Sequence, residues 1–120
     1  MNKLYIPGDL VYIHGSLRII NNCDGYYATY YDENESLQEV NVNVIEGIPI
    51  TPEILEKNGW KEEKGNYIND NYHIRLCEKI DGYLAYKVVN DTIVWLRDVE
   101  SVSDLQHLLF GLALNSEMEV

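Results

Sequence analysis

The chain has 120 residues, 46% of them hydrophobic and 24% charged, with a formal net charge of −11. That length suits one domain or two very small ones, burying roughly two thirds of the unfolded surface. The acidic balance excludes a duplex nucleic-acid binder, which needs Lys and Arg against the phosphates, and equally excludes docking on an anionic membrane.

No apolar run approaches the roughly 20 residues of a spanning helix. The stretch from Met1 to Asp9 lacks the apolar core of a signal peptide, so a cytoplasmic protein is expected. Cys23 and Cys77 are then expected as free thiols, with Cys77 a small apolar strand residue.

The first half reads as β structure. Leu10 to His14 and Leu17 to Ile20 are strands separated by Gly15-Ser16. Asn21 to Gly25 is a turn cluster, because Asn, Asp and Gly tolerate left-handed backbone. Gly25 to Tyr31 is a Tyr-rich strand, and Asp32 to Ser36 an acidic loop. Val40 to Val44 alternates Val with Asn, which predicts a strand with three Val on one face. Short strands at this spacing suggest a small SH3-like β-barrel over residues 1–50.

Ile48 to Pro52 is the seam, followed by a short connecting helix. Thr51 suits its cap, Pro52 its first position, Glu53 its positive end and Gly59 its stop. Residues 51–120 then read as this helix, a β-meander and a closing helix, packed as one unit with 1–50. Trp60 to Glu63 pairs with Asn66 to Ile68 across Lys64-Gly65. Strands over 71–79, 83–89 and 92–97 follow, joined by turns at Asp81-Gly82 and Asn90-Asp91. Ser101 or Ser103 caps the last helix, whose Leu105, Leu108, Leu109, Leu112 and Ala113 form one apolar stripe. Residues 115–120 are polar and expected to fray. The fold class is therefore α+β, with a C-terminal antiparallel sheet covered by one helix.

Three segments carry a resemblance. They are Gly8-Asp9-Leu10-Val11-Tyr12, the central run from Ile48 to Trp60, and Val102 to Leu112. Together the layout resembles a family of small uncharacterised proteins common in phages and mobile elements of Bacteroides-type gut bacteria. The motifs are caps, turns and core positions. Ser103-Asp104 stands where the family has His-Gln, and His107 where it has Asn. The resemblance implies a bacterial host cell and a mobile-element setting, with no assigned chemistry.

The residues themselves argue against catalysis. His14, His73 and His107 match no metal-ligand spacing. His73 and Cys77 on one extended strand would stand about 13 Å apart, too far to share a metal. Asp104, His107 and the nearby serines superficially suggest a triad, but Ser103 is better explained as a cap. No Gly-x-Ser-x-Gly elbow, P-loop or dinucleotide fingerprint is present. No catalytic residue, metal or cofactor is assigned.

Binding is the better reading. Tyr26, Tyr27, Tyr30 and Tyr31 crowd one strand. Tyr26 and Tyr30 are expected on one face with Ala28, and Tyr27 and Tyr31 on the other with Thr29. One pair would fill the core and the other would pack between the halves or form a platform. Arg18, Arg75 and Arg97 are the only arginines. Arg75 and Arg97 sit in predicted strands and would converge on one sheet face to bind a phosphorylated ligand. The expected function is a non-enzymatic binding protein that sequesters a nucleotide immune signal. The alternatives are an acidic Tyr-rich module blocking a host protein, and a virion or assembly component. A strand edge could mediate a homo-oligomer, but no pattern specifies one.

The acid is spread along the chain. Residues 1–50 carry a net −5 and residues 51–120 a net −6, unlike a DNA-mimicking acidic tail.

Overall fold

The computed structural model describes residues 4–120. Among these, eleven strands form three antiparallel sheets and two α-helices accompany them, a mixed α+β fold. The chain divides into two compact units, one ending at Ile48 and the other running from Pro49 to Val120.

The first unit contains β1 (Leu10–Ile13), β2 (Ser16–Ile19), β3 (Asn22–Cys23), β4 (Tyr27–Tyr31), β5 (Leu37–Asn41) and β6 (Ile45–Gly47). They form two three-stranded sheets, in the orders β2-β1-β6 and β3-β4-β5. The expected barrel does not close among the described residues. The β1–β2 turn has positive φ at both His14 and Gly15, as a two-residue type I′ turn requires. Asn22–Cys23, expected in a turn, instead pairs with Thr29 and Ala28. Val11, Ile13, Ile20, Ala28, Tyr30, Val42 and Ile45 belong to one buried cluster.

The Val40 to Val44 alternation does not run as one strand. β5 stops at Asn41, and Val42–Val44 is a 3-10 turn. The reason is local. The Asn41 side chain accepts a hydrogen bond from the Asn43 N–H at 2.9 Å, which offers the backbone an alternative to the ladder.

The second unit opens with α1 (Pro52–Lys57), where the Thr51 hydroxyl accepts from the Ile54 N–H at 3.2 Å. Gly59 follows with φ +88, a left-handed stop that a Cβ would strain. Then come β7 (Lys61–Glu63), β8 (Asn66–Ile68), β9 (Arg75–Lys79), β10 (Gly82–Val89), β11 (Thr92–Val99) and α2 (Val102–Gly111). The sheet order β11-β10-β9-β8-β7 is a simple meander. Gly82 has φ +135, and a Cβ there would meet the Val99 carbonyl at 2.7 Å.

The strand expected over 71–79 begins only at Arg75. Tyr72, His73 and Ile74 lie in a connecting loop, held by the Asn69 side chain accepting from the Asn71 N–H. Tyr67, Leu76, Ala85, Tyr83 and Val99 are buried, and the register places them on one face. Burial pushes the Tyr67 and Tyr83 phenols up from their ordinary range, with nearby acids adding to the effect. Their rings meet edge to face at 5.7 Å.

Helix α2 packs against β11 and buries Val102, Leu105, Leu108 and Leu109. Ser101, one of the two expected caps, forms a full capping box with Asp104. The stripe ends early, because Ala113 has φ +58 and lies beyond the helix. The expected fraying of the tail is also not seen. Asn58 donates to the Glu119 carbonyl and accepts from the Glu119 N–H, and Gln106 donates to the Ser116 carbonyl.

Leu105 is fully buried, so Leu105→Ala leaves a cavity in this unit. The expected loss is about 2–5 kcal/mol, read from chemical denaturation of the full chain.

Candidate functional site

The tyrosine segment is set up by an aspartate. Asp24 Oδ1 accepts from both the Tyr26 and Tyr27 N–H groups at 2.8 Å, which turns the chain into β4. These two bonds, that of Tyr27 foremost, hold the Asp24 carboxyl below the usual range. Along β4, Ala28 and Tyr30 are buried while Tyr27 and Tyr31 are exposed. Tyr26 precedes the strand and is 60% exposed, so it does not join Tyr30 in the core.

Arg18 is drawn into this unit rather than presented. It opposes the fully buried Val11 on the edge strand β2, with its guanidinium 5.3 Å from the Tyr30 ring centre. Its Nη2 donates to Glu33 Oε1 at 2.6 Å. Its Nε is buried with no protein acceptor among the described residues. The acidic loop beside it is ordered in the same manner. Asp32 accepts from the Ser36 and Asn34 N–H groups, both at 2.9 Å, and from Gln38 Nε2 at 3.0 Å. The Ser36 bond is the largest cause holding the Asp32 carboxyl low. The Glu33 carboxyl is lowered by its own N–H and by Arg18.

The two arginines of the C-terminal sheet do not converge. Arg97 opposes Ala85, on the buried face, and its Nη2 reaches Asp104 of α2 at 3.4 Å. Arg75 opposes Tyr86 and Ile68, one residue out of phase with Leu76, and so lies on the opposite face. Period-2 alternation could not reveal this from sequence, because a bulge intervenes in β11.

Arg75 is exposed and has no acidic partner among the described residues, whereas Arg18 and Arg97 each have one. It lines a groove of about 320 Å³ with Asn69, Asp70, Tyr72, His73 and Val88. A smaller cleft of about 120 Å³ adjoins it, lined by Arg75 together with Glu63, Lys64 and Asn66. Asp70 is engaged by Lys61 at 3.7 Å. Tyr72 is braced by the Trp60 ring at 5.9 Å and donates its hydroxyl to the Asn115 carbonyl at 3.1 Å.

Tyr26, Tyr27, Tyr30 and Tyr31 thus belong to the first unit, and Arg75 and Arg97 to the second. Tyr72 lines the groove with Arg75, and Tyr86 opposes Arg75 on the neighbouring strand. A continuous strand over 71–79 would put Tyr72 and Arg75 on opposite faces, and it is the loop before Arg75 that lets both line one groove.

Among the described residues no cluster of His, Cys, Asp and Glu could hold a metal ion, and no helix is long and apolar enough to cross a membrane. Cys23 and Cys77 are free thiols. Comparison of the chain with protein-family models, curated proteins and solved structures finds no match.

The lowered carboxyls predict an acid limit. Asp24, Asp32 and Glu33 titrate below their unfolded values, so their stabilisation is present above about pH 4 and is lost as pH falls through the lowered folded values. Asp32→Asn is expected to lower the denaturation midpoint at neutral pH and to flatten its dependence between pH 5 and 3, within the range around the ordinary carboxylate value of about 4. Chemical denaturation across that range checks it.

Proposed function

We propose that this chain is a non-enzymatic binding protein that sequesters a small phosphorylated ligand of nucleotide type, with Arg75 as its anion anchor. The observation that carries this reading is Arg75, an exposed guanidinium without a carboxylate partner among the described residues, shared by a larger groove lined by Tyr72 and His73 and a smaller cleft beside Asn66. In a protein of net charge −11 an arginine is commonly neutralised by a neighbouring acid, as Arg18 and Arg97 are. A planar fork left open matches the paired oxygens of a phosphate. Anti-defence action in a bacterial host cell, by removal of a nucleotide immune signal, is the role we attach to this binding on the mobile-element setting of the family that the sequence resembles.

Calorimetry with cyclic nucleotides and ADP-ribose derivatives tests the reading. At least one is expected to bind, and Arg75→Ala is expected to weaken it about ten-fold or more, the size of a charge-assisted hydrogen bond. No heat and no thermal shift across the whole panel would overturn it.

A second reading rests on the first unit. Tyr27, Tyr31 and Leu37 are exposed on neighbouring strands, with Glu39 opposite Thr29. An acidic, tyrosine-rich face suits a basic site on a host protein. A pull-down from host lysate is then expected to recover a partner at low salt and to lose it at high salt or in a Tyr27→Ser/Tyr31→Ser variant.

A further inference from the structure

The chain has two tryptophans in opposite circumstances. Trp60 is 2% exposed, and Trp95 is 57% exposed. An indole held that open on a strand calls for an account, because burying it would remove a large apolar surface from water.

The register supplies one. Tyr86 opposes both Arg75 and Trp95, so Arg75, Tyr86 and Trp95 form a single cross-strand row over β9, β10 and β11. The β-bulge creates this row. Arg97 opposes Ala85 and Trp95 opposes Tyr86, leaving Leu96 as the extra residue. In an unbulged ladder Trp95 would oppose Lys87 and lie on the other face. The bulge re-aims the indole toward the arginine face, as bulges do near functional sites.

Tyr86 stiffens the row. It is 7% exposed, its hydroxyl donates to Asn66 Oδ1 at 3.0 Å, and its ring centre lies 5.4 Å from that of Trp95. The indole is thus backed by a fixed tyrosine and still offers surface to solvent. Adjacent strands are about 4.8 Å apart, so the Arg75 and Trp95 main chains stand about 10 Å apart across Tyr86. The Arg75 side chain can shorten that span to the distance between a phosphate and the base of the same nucleotide.

We infer that Trp95 is the ring-reading residue of the Arg75 site. A heterocyclic base stacks on the indole while its phosphate is held by Arg75. The ligand class is a nucleoside phosphate, as distinct from a sugar phosphate or inorganic phosphate. Stacking on an exposed aromatic is tolerant of base identity, so purines and pyrimidines both bind and the larger purine ring binds better. This inference rests on the anion anchor proposed above.

The test uses the full chain and three probes: AMP, ribose 5-phosphate and inorganic phosphate. Trp95 is the exposed tryptophan, so its fluorescence reports on this face. AMP is expected to quench the emission and to bind about ten-fold or more tighter than ribose 5-phosphate, as one base–aromatic stack implies. Trp95→Ala is expected to bring AMP down to the affinity of ribose 5-phosphate, without changing the latter. Trp95→Phe is expected to retain part of the preference and serves as the second variant should Trp95→Ala fold poorly. Equal affinity for AMP and ribose 5-phosphate in the native chain overturns the ring-reading role and leaves the anion anchor standing. AMP affinity unchanged by either substitution does the same. Failure of all three probes to bind overturns the anchor itself, and the inference with it.

Discussion

The register of β10 is the constraint on which the C-terminal unit depends. This strand pairs with β9 on one side and β11 on the other, and its alternate side chains serve two different faces. Tyr83 and Ala85 go into the core with Leu76 and Val99, while Tyr86 goes to the opposite face with Arg75 and Trp95. A one-residue slip would exchange the two sets, exposing the core and burying a guanidinium. The bulge at Leu96 lets both requirements hold on one strand pair. It keeps Val99 inward at one end and turns Trp95 outward at the other.

Charge placement in the first unit follows a different logic. Arg18 lies on the edge strand β2 with its side chain turned inward, over Tyr30 and against Glu33. An inward-pointing charge on an edge strand discourages pairing with another chain. Its flanking Leu17 and Ile19 are exposed, which makes that protection relevant. The acids nearby are tied into Asx-type turns that shape the loops around β4. Much of the negative charge in this unit is therefore architectural. In the second unit Lys61 pairs with Asp70, Lys79 with Asp98 and Glu100, and Arg97 with Asp104, whereas Arg75, like Lys64 and Lys87, makes no such pair among the described residues.

Local punctuation was legible in the residues. Thr51-Pro52, Gly59, Ser101, Lys64-Gly65 and Asn90-Asp91 act where their chemistry says they should, because caps and tight turns depend on a few adjacent groups. The misread segments share a cause. Val40 to Val44 has strand periodicity, but an Asn side chain diverts its backbone into a turn. Tyr72 to Ile74 alternates like a strand, yet Asn69 and the loop bonds around it win. The tail looks like fraying chain, but Asn58 and Gln106 supply distant hydrogen-bond partners. In each case side-chain–backbone bonds compete with a pattern that periodicity alone cannot weigh. The same limit hid the candidate site. Trp95 carried no motif, and the face it occupies depends on a bulge that no residue type announces.

Composition by itself determined a small acidic chain with scarce arginine, and the order of its residues determined short strands and two capped helices of α+β type. Those properties follow from backbone propensity, capping and solvation, which act locally. Only the tertiary structure decided which arginine is spoken for. The three arginines look alike in sequence. Strand register and helix packing give Arg18 a glutamate and a tyrosine, Arg97 the aspartate of a helix cap, and Arg75 an open groove. A salt bridge needs two groups brought within about 4 Å, and for residues far apart in the chain that is a property of the fold.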